Sequence, residues 1–312
     1  MTGVEAFNSM FDGFSAKRMK GDNQNCLNDF YNYISMSHES STSYLYLSYV
    51  ANFLESENIT DVSEIKLRDY TSYFVKLKNK TASYQKTMHS ALKKFSKYLK
   101  ISGICAEDYM ENIERPKKKD SAETIAKRES DYMSPKELKA YMTKVEESNK
   151  RDIWKQRDVT IIKTLMTCGI RRSALQKLDT SDIDLENQIM TVTEKGAKVR
   201  EIYLSDDLVE EIKKWLEFRS TLHTSDPALF LSNRKQRLHV MTINQIVKRY
   251  DEEAHPHEFR SSYATTLYSK SKDVYFVQQC MGHASPAMTE RYIRGQKSDA
   301  TRKASEIMGK II

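Results

Sequence analysis

The chain reads as mainly helical with one small antiparallel β-sheet, divided into two domains, and three observations predict this. Apolar residues recur at three- and four-residue intervals through most of its length, which lines them up on one face of successive helices. One pair of β-branched, alternating segments, Gln188 to Thr193 and Val199 to Leu204, flanks Glu194-Lys195-Gly196-Ala197-Lys198 and reads as a hairpin. Between residues 115 and 133 the apolar pattern gives way to a polar, basic stretch that reads as a linker.

Residues 1–24 leave room for a flexible segment or one helix. The first domain, 25–114, then carries four stripes: Leu27, Phe30 and Ile34; Leu47, Val50 and Leu54; Leu67, Tyr70, Phe74 and Leu77; Met88, Leu92, Phe95 and Leu99. Four such helices make a compact bundle. On the last of them Lys86, Lys93, Lys97 and Lys100 repeat at helical intervals away from the apolar stripe. A solvated face is the bland reading of that row and contact with a polyanion the sharper one. The linker opens on Arg115-Pro116-Lys117-Lys118-Lys119, a run equally suited to solvent or to phosphates.

The second domain spans 134–312. Ser134-Pro135 caps and opens a helix. Thr160 to Cys168 is apolar at helical spacing and stops at Gly169, which leaves Arg171 just past a helix end, held by rigid elements yet free to point into a cleft. The hairpin tip offers Lys195 and Lys198. Ser205 starts a helix with Leu208, Ile212, Trp215 and Leu216 on its core face, and Thr242 another with Ile243, Ile246, Val247 and Tyr250. Pro256 suits a first helical position, so His257 and Arg260 share a face. Asp273 caps a helix that Gly282 ends in the left-handed conformation, presenting His283. Ser285-Pro286 begins a last short helix bearing Tyr292, followed by a tail, 298–312, with Ala304, Ile307, Met308 and Ile311 at helical spacing.

Composition permits a nucleic-acid partner without demanding one: 312 residues, 50 Lys+Arg against 43 Asp+Glu, net charge +7. Four separated cysteines, no signal peptide and no apolar run of membrane length fit a reducing cytoplasm, with direct access to DNA in a prokaryotic cell. His255 and His257 invite a metal reading, but no Cys-x-x-Cys, no His-Glu-x-x-His and no third ligand accompanies them.

The final fifth carries the parts for breaking a phosphodiester. A tyrosine hydroxyl has a pKa of about 10, so Tyr292 needs a base or a positive field to act as nucleophile. His257 is the candidate base. Arg171 and Arg260 can hold the non-bridging oxygens in two-pronged fashion as negative charge grows there, and His283 can add a donor. Lys195 is the candidate acid for the departing deoxyribose oxygen. Taken singly, each has an ordinary reading: surface arginines, a solvated hairpin lysine, a helix-end histidine, a half-buried tyrosine. Their order and spacing argue for a site.

In that order they resemble the tyrosine recombinases, or phage-integrase family. Gly169-Ile170-Arg171-Arg172-Ser173-Ala174-Leu175 is similar to the family's first-arginine box, Glu194-Lys195-Gly196-Ala197-Lys198-Val199-Arg200 to its lysine hairpin, and His257-Glu258-Phe259-Arg260 to its His-x-x-Arg box. Gly282-His283 and Tyr292, nine positions on from the histidine, resemble its final box. Ala174 departs from the pattern where many members carry a glutamate, and Ser261 where a second histidine is common. The resemblance implies a helical core-binding domain over one side of the duplex, a catalytic domain, and a 3′-phosphotyrosine intermediate with a free 5′-hydroxyl. No metal or nucleotide cofactor is then required. It also implies double-stranded DNA with paired recombination sites as partner, a tetramer joined by the tail, strand exchange through a Holliday junction, and the simpler two-domain form. The alternatives are a type IB-like DNA topoisomerase and a catalytically silent DNA-binding regulator on the same fold.

Overall fold

The computed structural model describes residues 21–117, 121–123, 126, 131–148, 152–194, 198–283 and 285–293. The expectations for residues 1–20, for Lys118, Lys119 and Lys195, and for the tail 298–312 lie outside the described residues. The chain divides into two compact units, Met1–Ala122 and Glu123–Ile312.

The first unit is a bundle of α1 (Gly21–Ser35), α2 (Ser40–Ser56), α3 (Leu67–Lys76) and α4 (Ala82–Ile101). Its core is unusually rich in rings: Phe30 meets Phe95 edge-on at 5.0 Å, and Phe53 stacks on Tyr70 at 4.9 Å. Three stripes read from the sequence are buried as expected. The third is turned: Tyr70, Tyr73 and Leu77 face inward, while Leu67 is 49% exposed. Tyr73 lies edge-on to Phe53 at 5.3 Å. A ring against a ring buries more than a leucine at the first turn of the helix, and this sets the rotation. On α4, Lys93, Lys97 and Lys100 are exposed and Lys86 partly so. The Lys93 ammonium donates to the Glu111 carbonyl at 3.3 Å, and Lys117 pairs with Glu114 at 2.7 Å.

The second unit comprises α5 (Pro135–Glu146), α6 (Asp152–Cys168), α7 (Arg172–Lys177), β1 (Ile183–Asp184), β2 (Ile189–Thr193), β3 (Val199–Tyr203), α8 (Asp206–Ser220), α9 (Val240–Tyr250), α10 (Pro256–Ser271), α11 (Val274–Met281) and α12 (Pro286–Ile293). The sheet is antiparallel in the order β1-β2-β3. The hairpin register pairs Met190 with Ile202 and Thr193 with Val199. β1 is an addition to the sequence reading, since two residues are too few to display alternation.

α6 is the hub, packing against α5, α8 and α10. Its Ile161, Ile162 and Leu165 join Ile212 and Trp215 of α8, Ile243, Ile246 and Val247 of α9, and Phe259 of α10 in one core. Trp215 Nε1 donates to the Leu229 carbonyl at 2.8 Å, so its one polar atom is satisfied. The caps at Ser134, Ser205 and Asp273 each accept a backbone N–H of the first turn. α9 begins earlier than Thr242: His239 is its cap, with Nδ1 accepting from the Met241 N–H at 3.2 Å. An imidazole nitrogen does the work usually assigned to a hydroxyl or carboxylate, which is why sequence reasoning passed it over.

Candidate active site

The site begins at the end of α6. Gly169 reverses the chain at φ +57°, and a Cβ there would meet the Tyr263 ring at 2.3 Å. Glycine is thus required twice, for the left-handed turn and for the close approach. The turn delivers Arg171 in extended backbone as the residue capping α7, with its side chain 30% exposed.

Arg260 comes from the second turn of α10 and is only 2% exposed. Its guanidinium donates to the Gly169 carbonyl, donates to the Met281 carbonyl at 2.7 Å, and lies 3.1 Å from His283 Nε2. One planar group therefore ties the α6 turn to the end of α11. Gly282, at φ +61°, closes α11 and His283 follows, its N–H donating to the Gln278 carbonyl at 3.1 Å. His283 Nδ1 is 2.8 Å from the Thr289 hydroxyl on α12. A guanidinium only donates, so the Arg260 contact makes Nε2 an acceptor and leaves the ring proton on Nδ1, facing Thr289.

His257 is exposed one turn before Arg260. Arg171, His257 and Arg260 line one open cleft of about 410 Å³, with Arg172, Ser173, Asn244 and His255. The sequence reading placed these three on one phosphate, and the fold brings them to one cleft. His283 joins them through Arg260. Tyr292 lies on α12, in the same short helix as Thr289, and its side chain is outside what the structure describes. Lys195 is likewise outside the described residues, which resume at Lys198, whose carbonyl accepts the Glu194 N–H at 2.7 Å. The lysines at 86, 93, 97, 100 and 117 belong to the other unit.

Two neighbours have structural employment. His255 caps α10 by accepting the Glu258 N–H at 3.1 Å, and its Nε2 is 3.0 Å from the Asp131 carboxylate. Among the described residues no cluster of His, Cys, Asp or Glu is placed to hold a metal. Burial pushes the hydroxyl of Tyr263, whose ring packs against Gly169, up to about 12.

Sequence reasoning missed Glu194, Arg200 and Asn244. Glu194 is 5% exposed and pairs with Arg171, with Arg200 at 3.4 Å and with Arg260 at 3.9 Å. Arg200 also donates to the Cys280 carbonyl at 2.8 Å, bracing the turn that carries His283. Asn244 lines the cleft with a buried Oδ1 that has no hydrogen-bond partner among the described residues. The signal for Glu194 was available: position 174, beside the first arginine, lacks a carboxylate, and a glutamate stands immediately before Lys195.

Chemically, the arrangement is a pair of guanidiniums held by carbonyls and a carboxylate, facing a cleft with an exposed imidazole at its edge. Such fixed donors stabilise growing negative charge without having to reorganise.

Comparison with known proteins agrees. A tyrosine recombinase XerC of Alcanivorax borkumensis is 31% identical over 66% of this chain and 66% of its own length. A tyrosine recombinase of Pseudothermotoga lettingae is 28% identical over 78% of this chain and 83% of its own. In fold, the chain is similar to the crystal structure of XerH site-specific recombinase bound to a palindromic difH substrate, a post-cleavage complex, with a TM-score of 0.68 and 20% identity over 96% of this chain and 92% of that one. The phage integrase family matches residues 131–299, more than half of the chain and all of the cleft-lining residues. With its two arginines, histidine and terminal helix in the family's order, the chain belongs to the phage integrase family, the tyrosine recombinases.

Proposed function

We propose that the protein is a site-specific DNA recombinase that breaks and rejoins strands through Tyr292. The observation that carries this reading is the convergence of Arg171, His257 and Arg260 on one cleft, with His283 bonded to Arg260 from the turn before the tyrosine helix. In the step envisaged, the Tyr292 oxygen bonds to phosphorus as the bond to the 5′ oxygen breaks. His257 takes the phenolic proton and Lys195 supplies one to the departing oxygen, so the phosphodiester energy is kept in a 3′-phosphotyrosine. Arg171, Arg260 and His283 neutralise the non-bridging oxygens. His283 donates from Nε2 only when Arg260 yields that nitrogen or the ring is protonated, so substrate phosphate competes with an existing contact.

The partner is double-stranded DNA with paired sites, recombined in a tetramer through a Holliday junction, with integration, excision, inversion or dimer resolution as the outcome. Lys86, Lys93, Lys97, Lys100 and the run Lys117 to Lys119 would meet backbone phosphates. The exposed lysine row on α4 supports that part. The residues 298–312 would link neighbours in the assembly. The protein would act on DNA in a prokaryotic cytoplasm, in keeping with its bacterial relatives; no described helix is long and apolar enough to cross a membrane.

The test is a suicide DNA site, nicked so that cleavage releases a short strand and traps the adduct. Wild type should give a covalent complex on a denaturing gel, and Tyr292→Phe none. An adduct with Tyr292→Phe would overturn the nucleophile assignment. Relaxation of supercoiled DNA by a monomer with no strand exchange would favour a topoisomerase.

A further inference from the structure

Two arginines of the clamp sit side by side, one of them almost wholly buried, and such a pair is stable only where an anion offsets it. The described residues supply that anion in Glu194, the residue at the end of β2. Its carboxylate contacts Arg171 through one oxygen, and Arg200 and Arg260 through the other, at 3.4 Å and 3.9 Å. Ala174, three residues after Arg171 on α7, is buried and has no polar group to share the task.

We propose that Glu194 is the positioning residue of the phosphate clamp, fixing the Arg171 and Arg260 guanidiniums and, through Arg200, the turn that carries His283. The proposal rests on the recombinase reading of this site. Three features give it direction. Glu194 does not line the cleft that Arg171, His257 and Arg260 line, so its carboxylate holds the arginines from behind and leaves the opening to the substrate. Its N–H donates to the Lys198 carbonyl, so the backbone that orients the clamp also ties β2 to the start of β3. Arg200 bridges from Glu194 to the Cys280 carbonyl, and its side chain lies 3.2 Å from where a Cβ on Gly282 would stand. The carboxylate that orients the first arginine is therefore on the lysine hairpin, and no longer on the helix after that arginine.

The experiment compares wild type, Glu194→Gln and Glu194→Asp in single-turnover cleavage of the suicide site at saturating protein. DNA affinity and melting temperature are measured alongside. Glu194→Gln should slow adduct formation about 10²-fold with affinity within about threefold, because misplacement of a clamp by about an ångström costs that much in chemistry and little in binding. Glu194→Asp should recover a large part of the rate. A second substrate carries sulfur in place of the leaving 5′ oxygen, whose departure needs no proton. Glu194→Gln should remain slow on it, since the clamp and not the acid is disturbed. Full rate in Glu194→Gln, or full rescue by the sulfur substrate, overturns the proposal. No adduct from wild type overturns the recombinase reading instead. Should Glu194→Gln melt below the assay temperature, Glu194→Asp decides: its carboxylate, drawn back by one methylene, should leave cleavage severalfold slower than wild type at equal affinity and on both substrates, and a wild-type rate or full rescue by sulfur overturns the proposal.

Discussion

Asp158 on α6 and Glu194 at the end of β2 are both buried carboxylates held by arginines, yet they serve different ends. Asp158 is fully buried and takes Arg157 at 2.9 Å, Arg249 at 3.0 Å and the Tyr250 hydroxyl at 2.8 Å. Arg157 in turn donates to the Leu231 carbonyl at 2.9 Å. These contacts pin α9 and the loop at Leu231 to α6, and none of these residues lines the cleft. Around Glu194, two of the three guanidiniums do line it. Buried charge alone therefore does not mark a site; it marks one when the guanidiniums also face an opening beside a group that can move a proton.

The widest separation of the two clusters should come from Asp158→Asn. Removing one partner of a buried pair costs about 3–5 kcal/mol, because the remaining charge is left without compensation. Urea unfolding followed by tryptophan fluorescence should register that loss, while adduct formed per folded molecule stays near wild type. A fall in cleavage larger than the fall in folded fraction would break the comparison. Next in size is Arg171→Lys. An ammonium cannot grip two oxygens at once, and losing one such interaction costs about 10²–10³ in rate. With the side chain 30% exposed, stability should hardly change. Single-turnover cleavage and thermal melting, measured on one preparation, check both halves.

Gly169→Ala should come third. A side chain at φ +57° costs about 1–2 kcal/mol from backbone strain alone. The Tyr263 ring must also withdraw from the 2.3 Å approach. Since the Gly169 carbonyl accepts from Arg260, cleavage should fall together with the melting temperature. Unchanged cleavage in a destabilised protein would show that the clamp tolerates movement of this turn.

Much of this was legible before the fold was seen, and the reason is physical. Gly169, Gly282, Ser134-Pro135 and Asp273 act locally, through left-handed backbone or a cap, so the sequence alone places them. The spacing of His257 and Arg260 on one helix face is local as well. Glu194, by contrast, acts across the sheet on residues 23 positions before it and 66 after it, and no periodicity encodes such a meeting. The rotation of α3 escaped for the same reason: Tyr73 is chosen by Phe53, a residue of another helix. His239 was missed because its capping role belongs to a residue type that rarely performs it.

The smallest effect concerns a third carboxylate, Glu258 in the first turn of α10, which has no arginine against it among the described residues. Burial raises its pKa above the ordinary carboxylate range, partly countered by the His255 N–H it accepts and by the nearby His255 ring, while Asp131 and Asp251 push it further up. The folded state thus holds this proton to higher pH than the unfolded chain does. Stability from this group is present below its unfolded pKa and declines as pH rises through the folded value. The decline should begin in the ordinary carboxylate range and continue above it, and should be absent from Glu258→Gln, which can still accept the His255 N–H through its amide oxygen. Urea midpoints of wild type and variant between pH 4 and 7 test this: the variant should gain on wild type as pH rises. A gain in the opposite direction would mean that a cation faces Glu258 after all, and the distinction between carboxylates with and without a guanidinium would have to be redrawn.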